Sequence, residues 1–324
     1  MTSPLIIGVP SKGRLQDNTR AIFSDAGMKI SRPGGDRNYR GVLKGIDNVQ
    51  INFLSASEIA GQIADGSIHI GVTGEDLIRE EIADISGKAH LVQKLGFGHA
   101  DVVIAVPSGW IDVRNMSDLN EVSRHFVQKK GQFLRVATKY IELTRQFFDQ
   151  HNITDYRIVK SLGATEGAPA ADQAECIVDI TSTGSTLKAN NLRVIEDGVI
   201  LKSEANLVAS LKANWSIENL ETLKMVLGRI TARQNAKEYT IVNCYPNADL
   251  TLEKMKMIIS AQAILFNADI IGHDGLSLKV KHKNAVALAE ALTETGITYV
   301  TLTHPQMIMS SDVPIFDELV GKIA

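Results

Sequence analysis

Residues Cys176 to Leu187 read CIVDITSTGSTL. An apolar run with a single carboxylate, Asp179, gives way to Thr181, Ser182, Thr183, Gly184, Ser185 and Thr186. A strand that ends in a glycine-containing hydroxyl loop and then opens a helix can cradle a phosphate. The orphan amides of the helix start point at the ligand, and the helix dipole favours an anion. Hydroxyls add donors, and Gly184 lets the backbone come close. The plainer alternative is an ordinary helix N-cap, because Ser and Thr begin many helices. The density of hydroxyls around one glycine favours phosphate.

Other charged residues also fall at strand-to-helix junctions. Lys12 and Arg14 follow the first apolar run, where two cations can neutralise a diphosphate through charge-assisted hydrogen bonds of about 1.5–3 kcal/mol each; the alternative is a solvated loop. Glu75 and Asp76 open a helix, a routine place for acids. Lys139 and Tyr140 also precede a helix, where the dipole disfavours a cation and a bound anion would justify one. Trp110 and Trp215 read as packing residues, His69 as a satisfied core histidine and Cys176 as inert. The pair Gly96 and Gly98 is too weak a signal to count as a nucleotide motif.

These residues need an α/β frame to hold them. Strand patterns at 4–10, 67–74, "DVVIAVP", "LRVAT", "YRIVK" and "CIVDI" alternate with helical patterns at 14–26, 56–64, 75–82, 140–150, 166–173 and 184–190. "GVLKGIDNVQINFL" reads as a hairpin turning at 45–48. This alternation predicts mostly parallel sheets. A long helical pattern at 216–236 leads to a different order. From Tyr239 the pattern is strand, helix, "AILFNADIIG" and "LSLKVKH" as strands, helix, strand. That is the β-α-β-β-α-β ferredoxin-like unit. Apolar residues on both faces of its strands predict a sheet that needs cover on its open side, and self-association would supply it.

Composition narrows the function classes. The 324 residues suffice for two or three domains. A formal net charge of −3 argues against nucleic acid as a partner. The two cysteines, Cys176 and Cys244, form no metal-spaced pair, and the scattered histidines form no ligand motif. The N-terminus lacks a signal-peptide pattern and no run of ~20 apolar residues predicts a membrane span, so a cytoplasmic protein is expected.

The hydroxyl loop resembles the phosphoribosyl-diphosphate loop of type I phosphoribosyltransferases through Asp179, Ile180, Thr183, Gly184 and Thr186, but Val178 stands where that family has a first acid. A longer resemblance covers residues 4–230. The stretch 163–192 is similar to the signature of the ATP phosphoribosyltransferase family, the first enzyme of histidine biosynthesis. Glu166, Asp179, Ser182, Thr183, Gly184, Thr186, Leu187, Ala189 and Asn190 are in register. "KGRL" (12–15), "GVTGEDLIRE" (71–80) and "RVATKYIELTRQFF" (135–148) follow in the expected order. At Ile141 that family commonly has proline, and the last hundred residues diverge from its familiar histidine-binding domain.

The resemblance implies a two-lobed core like a periplasmic binding protein, with a C-terminal ferredoxin-like (ACT-like) α+β domain. Lobe one would span 1–100 and 193–230, lobe two 101–192, and a regulatory and oligomerisation domain 238–324. "DVVIAVP" and "LRVIEDGVIL" would be the hinge. Phosphoribosyl would pass from phosphoribosyl diphosphate to N1 of ATP. Thr181, Ser182, Thr183, Gly184, Ser185 and Thr186 would hold the 5-phosphate. Asp179 and Glu166 would meet ribose hydroxyls, directly or through Mg²⁺, and Lys12 and Arg14 the pyrophosphate. Glu75 and Asp76 become candidates for nucleotide or Mg²⁺ contacts, and Lys139 and Tyr140 for substrate. Mg²⁺ would be carried mainly by substrate phosphates, with Asp179 as a further ligand. A homo-oligomer with histidine as effector is implied. The rival reading is a two-lobed module that binds a small anion and does no chemistry.

Overall fold

The computed structural model describes residues 3–33, 38–82, 84–161, 163–245 and 250–323. In chain order the first elements are β1 (Leu5–Pro10), α1 (Gly13–Asp25), β2 (Lys29–Ser31), β3 (Arg40–Lys44), β4 (Val49–Leu54), α2 (Ala56–Asp65), β5 (Ile70–Gly74), α3 (Glu75–Glu81) and β6 (Ala89–Lys94). Next come β7 (Ala100–Pro107), α4 (Met116–Lys130), β8 (Leu134–Thr138), α5 (Ile141–Gln150), β9 (Tyr156–Lys160), β10 (Cys176–Thr181), α6 (Ser185–Ala189) and β11 (Leu192–Ser203). Then follow β12 (Ala205–Ser210) and α7 (Ile217–Glu238).

Two sheets organise this part. The first has seven strands in the order β2-β3-β4-β1-β5-β12-β6, and the second has five in the order β11-β7-β10-β8-β9. β1 runs parallel to β4 and β5, and β10 runs parallel to β8. The central strands are apolar without alternation because helices cover both faces. Leu5, Ile7 and Val9 of β1 and Cys176, Ile177 and Val178 of β10 are fully buried. Each such aliphatic side chain contributes roughly 1.5–3 kcal/mol of burial. Local chemistry sets the helix starts. α2 and α4 begin in capping boxes, Ser55 with Glu58 and Asn115 with Asp118, which satisfy their first amides.

The chain passes between the sheets twice. The segment between β6 and β7 goes out, and Glu204, between β11 and β12, comes back. The two passages are bonded together: the Leu95 amide donates to the Ala205 carbonyl at 3.0 Å, and the Ala205 amide to the Phe97 carbonyl at 2.9 Å. This corrects two expectations. β7 and β11 lie wholly in the second sheet, so the crossings are 95–99 and 204 rather than those strands. The return to the first sheet begins at 204, not 193. The physical reason is that β11 pairs with β7 from Leu192↔Pro107 to Ser203↔Ala100, through register shifts after Val194 and Val199 that let it run twelve residues.

The helical pattern at 166–173 is not a helix. A 3₁₀ turn, Thr165–Gly167, precedes Pro169, and the stretch closes with Asp172 at φ 55° and the Gln173 amide on the Ala168 carbonyl. Gly167 and Pro169 weaken any longer helix.

Contacts divide the chain into two units. One holds residues up to Ala21, Ile30–Leu220 and those from Asp317. The other holds Ile22–Lys29 and Glu221–Phe316. The second unit contains β13 (Tyr239–Cys244), α8 (Leu252–Phe266), β14 (Asp269–Ile271), β15 (Ser277–Lys281), α9 (His282–Glu294) and β16 (Val300–Thr303). Its sheet order, β14-β15-β13-β16, is that of the ferredoxin-like unit. "AILF" belongs to α8 rather than to a strand. A further helix, α10 (Pro314–Ile323), ends the described chain and passes from the second unit into the first.

The open face of this sheet is more polar than expected. Asn243 donates to Thr303 and accepts from Ser277, and Lys279 pairs with Asp269 at 2.8 Å. The most exposed apolar side chains of this unit stand on α8: Met257 (73% exposed), Ile264 (82%) and Leu265 (74%).

Candidate active site

β10 carries the hydroxyl loop to the edge of the second sheet, with Thr181 opposite Asp101 of β7. Gly184 turns the chain at φ 73°. An added Cβ there would meet nothing within 4 Å, so the need for glycine is one of backbone conformation rather than space. The Gly184 amide donates to Thr181 Oγ1 at 2.9 Å, Thr183 and Ser185 share a hydroxyl contact at 2.9 Å, and Ser182 Oγ donates to the His99 carbonyl at 3.1 Å. The loop is thus preformed and tied to the crossing segment.

Beside it lies a cleft of about 750 Å³. Thr181, Ser182, Thr183, Ser185 and Thr186 line one side, and Arg14 lines it from the start of α1. The loop and one cation of the expected pair therefore face a common space. Lys12 is exposed and is not among the lining residues. α6 is only five residues long, so the hydroxyls and the loop amides, more than a helix dipole, are the available donors.

The acids and Lys139 gather at the neighbouring strand ends. β8 and β10 pair Thr138 with Val178, so Lys139 follows the end of β8 beside Asp179, which stays in β10 opposite Val103 of β7. Burial pushes the Asp179 carboxyl above the usual aspartate range; its hydrogen bond from the Ile180 amide and the charge of Lys139 pull it back, and Glu166 pushes it up again. Lys139 Nζ lies 4.9 Å from the Tyr140 ring centroid.

Tyr140 and Asp76 are buried and bonded to each other. Tyr140 Oη donates to Asp76 Oδ2 at 2.8 Å, and Ser203 Oγ donates to Asp76 Oδ1 at 2.7 Å. Burial, then the Asp76 charge, raises the Tyr140 phenol. Glu75 accepts from Arg79 at 2.7 Å. These two acids thus serve internal bonds in the structure. The start of α5 is also already served by an anion. Glu80 of α3, unremarked within its motif, accepts the amides of Ile141, Glu142 and Leu143. The amides of that helix start therefore have an internal acceptor.

Residues 55–232 match the family model HisG, ATP phosphoribosyltransferase. The chain belongs to the ATP phosphoribosyltransferase family. It is 48% identical over 98% of its length, and 98% of the relative's, to an ATP phosphoribosyltransferase of Bradyrhizobium diazoefficiens. Another from Rhodopseudomonas palustris (strain BisB18) is 59% identical over 74% of each chain. The solved ATP phosphoribosyl transferase (HisG:HisZ) complex from Thermotoga maritima shares the fold, with a TM-score of 0.54 over 70% of this chain and 96% of that one, at 22% identity. The protein is an enzyme of this family, whose reaction opens histidine biosynthesis.

Within that family frame the hydroxyl loop and Arg14 line one cleft, whereas Asp179, Glu166, Lys139 and Tyr140 are not among its lining residues; the last three act electrostatically on or with Asp179. Sequence reasoning passed over Asn18, Phe97, Gly98 and His99, which line the cleft. The signal for the glycines was present and set aside: Gly96 and Gly98 both take positive φ, 71° and 69°, in the outgoing crossing. His69 is the satisfied core histidine expected. Its Nδ1 accepts the Ile6 amide at 3.0 Å, and its Nε2 sits 3.2 Å from the Asn214 carbonyl. Cys176 is buried, and burial raises its thiol. Among the described residues no helix is long and apolar enough to cross a membrane.

Proposed function

We propose that this enzyme moves the 5-phosphoribosyl group from phosphoribosyl diphosphate to N1 of ATP and releases pyrophosphate. The observation that carries the site assignment is the cleft shared by the hydroxyl loop and Arg14. Thr181 to Thr186 take the 5-phosphate. Arg14, with Lys12 beside it in sequence, meets the leaving diphosphate. Asp179 and Glu166 take the ribose hydroxyls. Glu75 and Asp76 act on the framework, since their carboxylates already hold Arg79, Tyr140 and Ser203.

The chemistry needs no nucleophile from the protein. As the bond to the diphosphate breaks, positive charge grows at the ribose C1 and negative charge on the leaving group. Positioning and a fixed field supply most of the catalysis. In this reading the Asp179 carboxylate faces the cationic ribose, and Arg14, which lines the cleft, faces the diphosphate. The oxygen donors at hand, carboxylate and hydroxyl, suit a hard cation. Asp179 would hold Mg²⁺ together with the substrate phosphates, and the ion would neutralise diphosphate charge.

The family resemblance supports a cytoplasmic homo-oligomer with histidine as effector of the second unit. The exposed Met257, Ile264 and Leu265 of α8 offer the apolar surface for a second copy. The purified protein mixed with ATP, phosphoribosyl diphosphate and Mg²⁺ is expected to release pyrophosphate only when all are present. Tight binding of phosphoribosyl diphosphate without pyrophosphate release would establish the binding-module reading instead.

A further inference from the structure

The first turn of α5 has no cap of its own. Tyr140, at its N-cap position, contributes no side-chain hydrogen bond to the helix amides. A bare helix start leaves several amides without partners. Here Glu80 takes them: Oε1 accepts from Ile141 at 2.7 Å and Glu142 at 3.1 Å, and Oε2 from Glu142 at 3.0 Å and Leu143 at 3.1 Å. α3 follows β5 of the first sheet, and α5 follows β8 of the second. The cap therefore comes from the other lobe.

Asp76 and Glu80 are four residues apart on α3, so they share one helix face. Asp76 holds the Tyr140 hydroxyl and Glu80 holds the turn that follows. Between that grip and the end of β8 stands Lys139. Its neighbours are therefore fixed on both sides, and the pairing of Thr138 with Val178 sets it next to Asp179. Ile141 sharpens the arrangement. A proline at this position would have no amide to donate, whereas Ile141 makes the shortest of the contacts to Glu80.

We propose that Glu80 is a positioning residue for the transfer: from the first lobe it caps α5 and holds Lys139 beside Asp179, so this wall of the site is assembled only while α3 and α5 stay engaged. The role assigned to Lys139 and Asp179 rests on the function proposed above. Glu80 touches no substrate in this scheme. It acts through the α5 turn and Lys139.

The test uses the full-length protein with Glu80→Ala, Glu80→Gln and Ile141→Pro. Amide hydrogen exchange reads the cap, and steady-state pyrophosphate release reads kcat and KM separately. Glu80→Ala is expected to speed exchange at residues 141–143 by ~10-fold or more. It should also lower kcat by ~10-fold or more while KM for ATP moves less than about threefold. Glu80→Gln keeps one acceptor oxygen and should recover part of both effects; it also serves if the alanine variant does not fold. Ile141→Pro removes a single donor and should cost kcat less than Glu80→Ala. Faster exchange with wild-type kcat in a folded variant would make Glu80 a structural cap only and overturn the proposal, as would unchanged exchange. A wild-type protein that releases no pyrophosphate would instead refute the function. In that case calorimetry with phosphoribosyl diphosphate decides on Glu80, and unchanged affinity in Glu80→Ala overturns its role.

Discussion

The Tyr140 hydroxyl donates to Asp76 Oδ2 at 2.8 Å and so joins a helix of one sheet to a helix of the other. Asp76 is buried, with Ser203 on its second oxygen. Tyr140→Phe leaves Oδ2 without this donor inside the protein. The expected loss is about 1–3 kcal/mol, read as a lower midpoint in thermal or urea unfolding. An unchanged midpoint would mean that water or a shifted side chain replaces the phenol at no cost.

The hydroxyl loop separates affinity from stability. Thr183 is exposed, so Thr183→Val should leave the melting temperature nearly unchanged. It should weaken phosphoribosyl diphosphate by about 1–3 kcal/mol, the loss of a donor to a charged group. Gly184→Ala should instead strain the left-handed turn by roughly 1–2 kcal/mol. Calorimetric titration of both variants checks this. Full affinity in a folded Thr183→Val protein would remove the loop from the substrate site.

Asp179 should show a conflict between stability and turnover. Burial raises its folded-state pKa above 3.8. Its contribution to stability is then complete below pH 3.8 and is lost as pH rises through the folded value. At neutral pH the charged form is unfavourable to the fold, so Asp179→Asn should be at least as stable as the parent yet turn over poorly. The acid limb of kcat/KM should lie above the ordinary aspartate range. Lys139→Met removes a cation that favours the carboxylate, so the limb should move to higher pH. Movement to lower pH would contradict the pairing.

Two buried histidines predict loss of stability in acid. Burial lowers the pKa of His69, and burial with the Lys322 charge lowers that of His90. Both hold acceptor nitrogens in use: His69 Nδ1 takes the Ile6 amide, and His90 Nδ1 faces Lys322 Nζ at 3.0 Å. A depressed pKa gives stability that is present above pH 6.5 and lost as pH falls through the folded values. Urea midpoints should therefore fall between pH 7.5 and 5, and His90→Gln should flatten part of the slope. A parent protein with a level profile would show that neither imidazole is held neutral.

Assembly should depend on α8. Ile264→Glu with Leu265→Glu places charge where the parent exposes two large apolar side chains, and light scattering should report a smaller particle. An unchanged mass would move the contact elsewhere. Truncation near Lys237 is a poorer test. It also removes α10, whose Lys322 packs at His90 in the first unit. Initial rates against added histidine test the effector. Rates indifferent to it would leave this domain structural, or tuned to another ligand.

Much of this protein is set locally and could be read from the chain. Short apolar runs bounded by turn residues, such as CIV before Asp179, read as buried strands, although AILF, equally apolar, proved to be the end of α8. The hydroxyls around Gly184 mark the turn from β10 into α6, which Gly184 makes at positive φ. The β-α-β-β-α-β order past Tyr239 follows from pattern alone, and His69 and Cys176 sit where apolar neighbours require. Tertiary structure decided what depends on distant partners. Glu75 and Asp76 open a helix in any reading, but only packing shows that Asp76 faces Tyr140 and Ser203. The anion at the start of α5 proved to be Glu80, sixty-one residues from Ile141, because a carboxylate satisfies bare amides equally well from another element. β11 stays with the second sheet until Ser203 because its partner β7 holds it by backbone bonds that no side-chain pattern encodes.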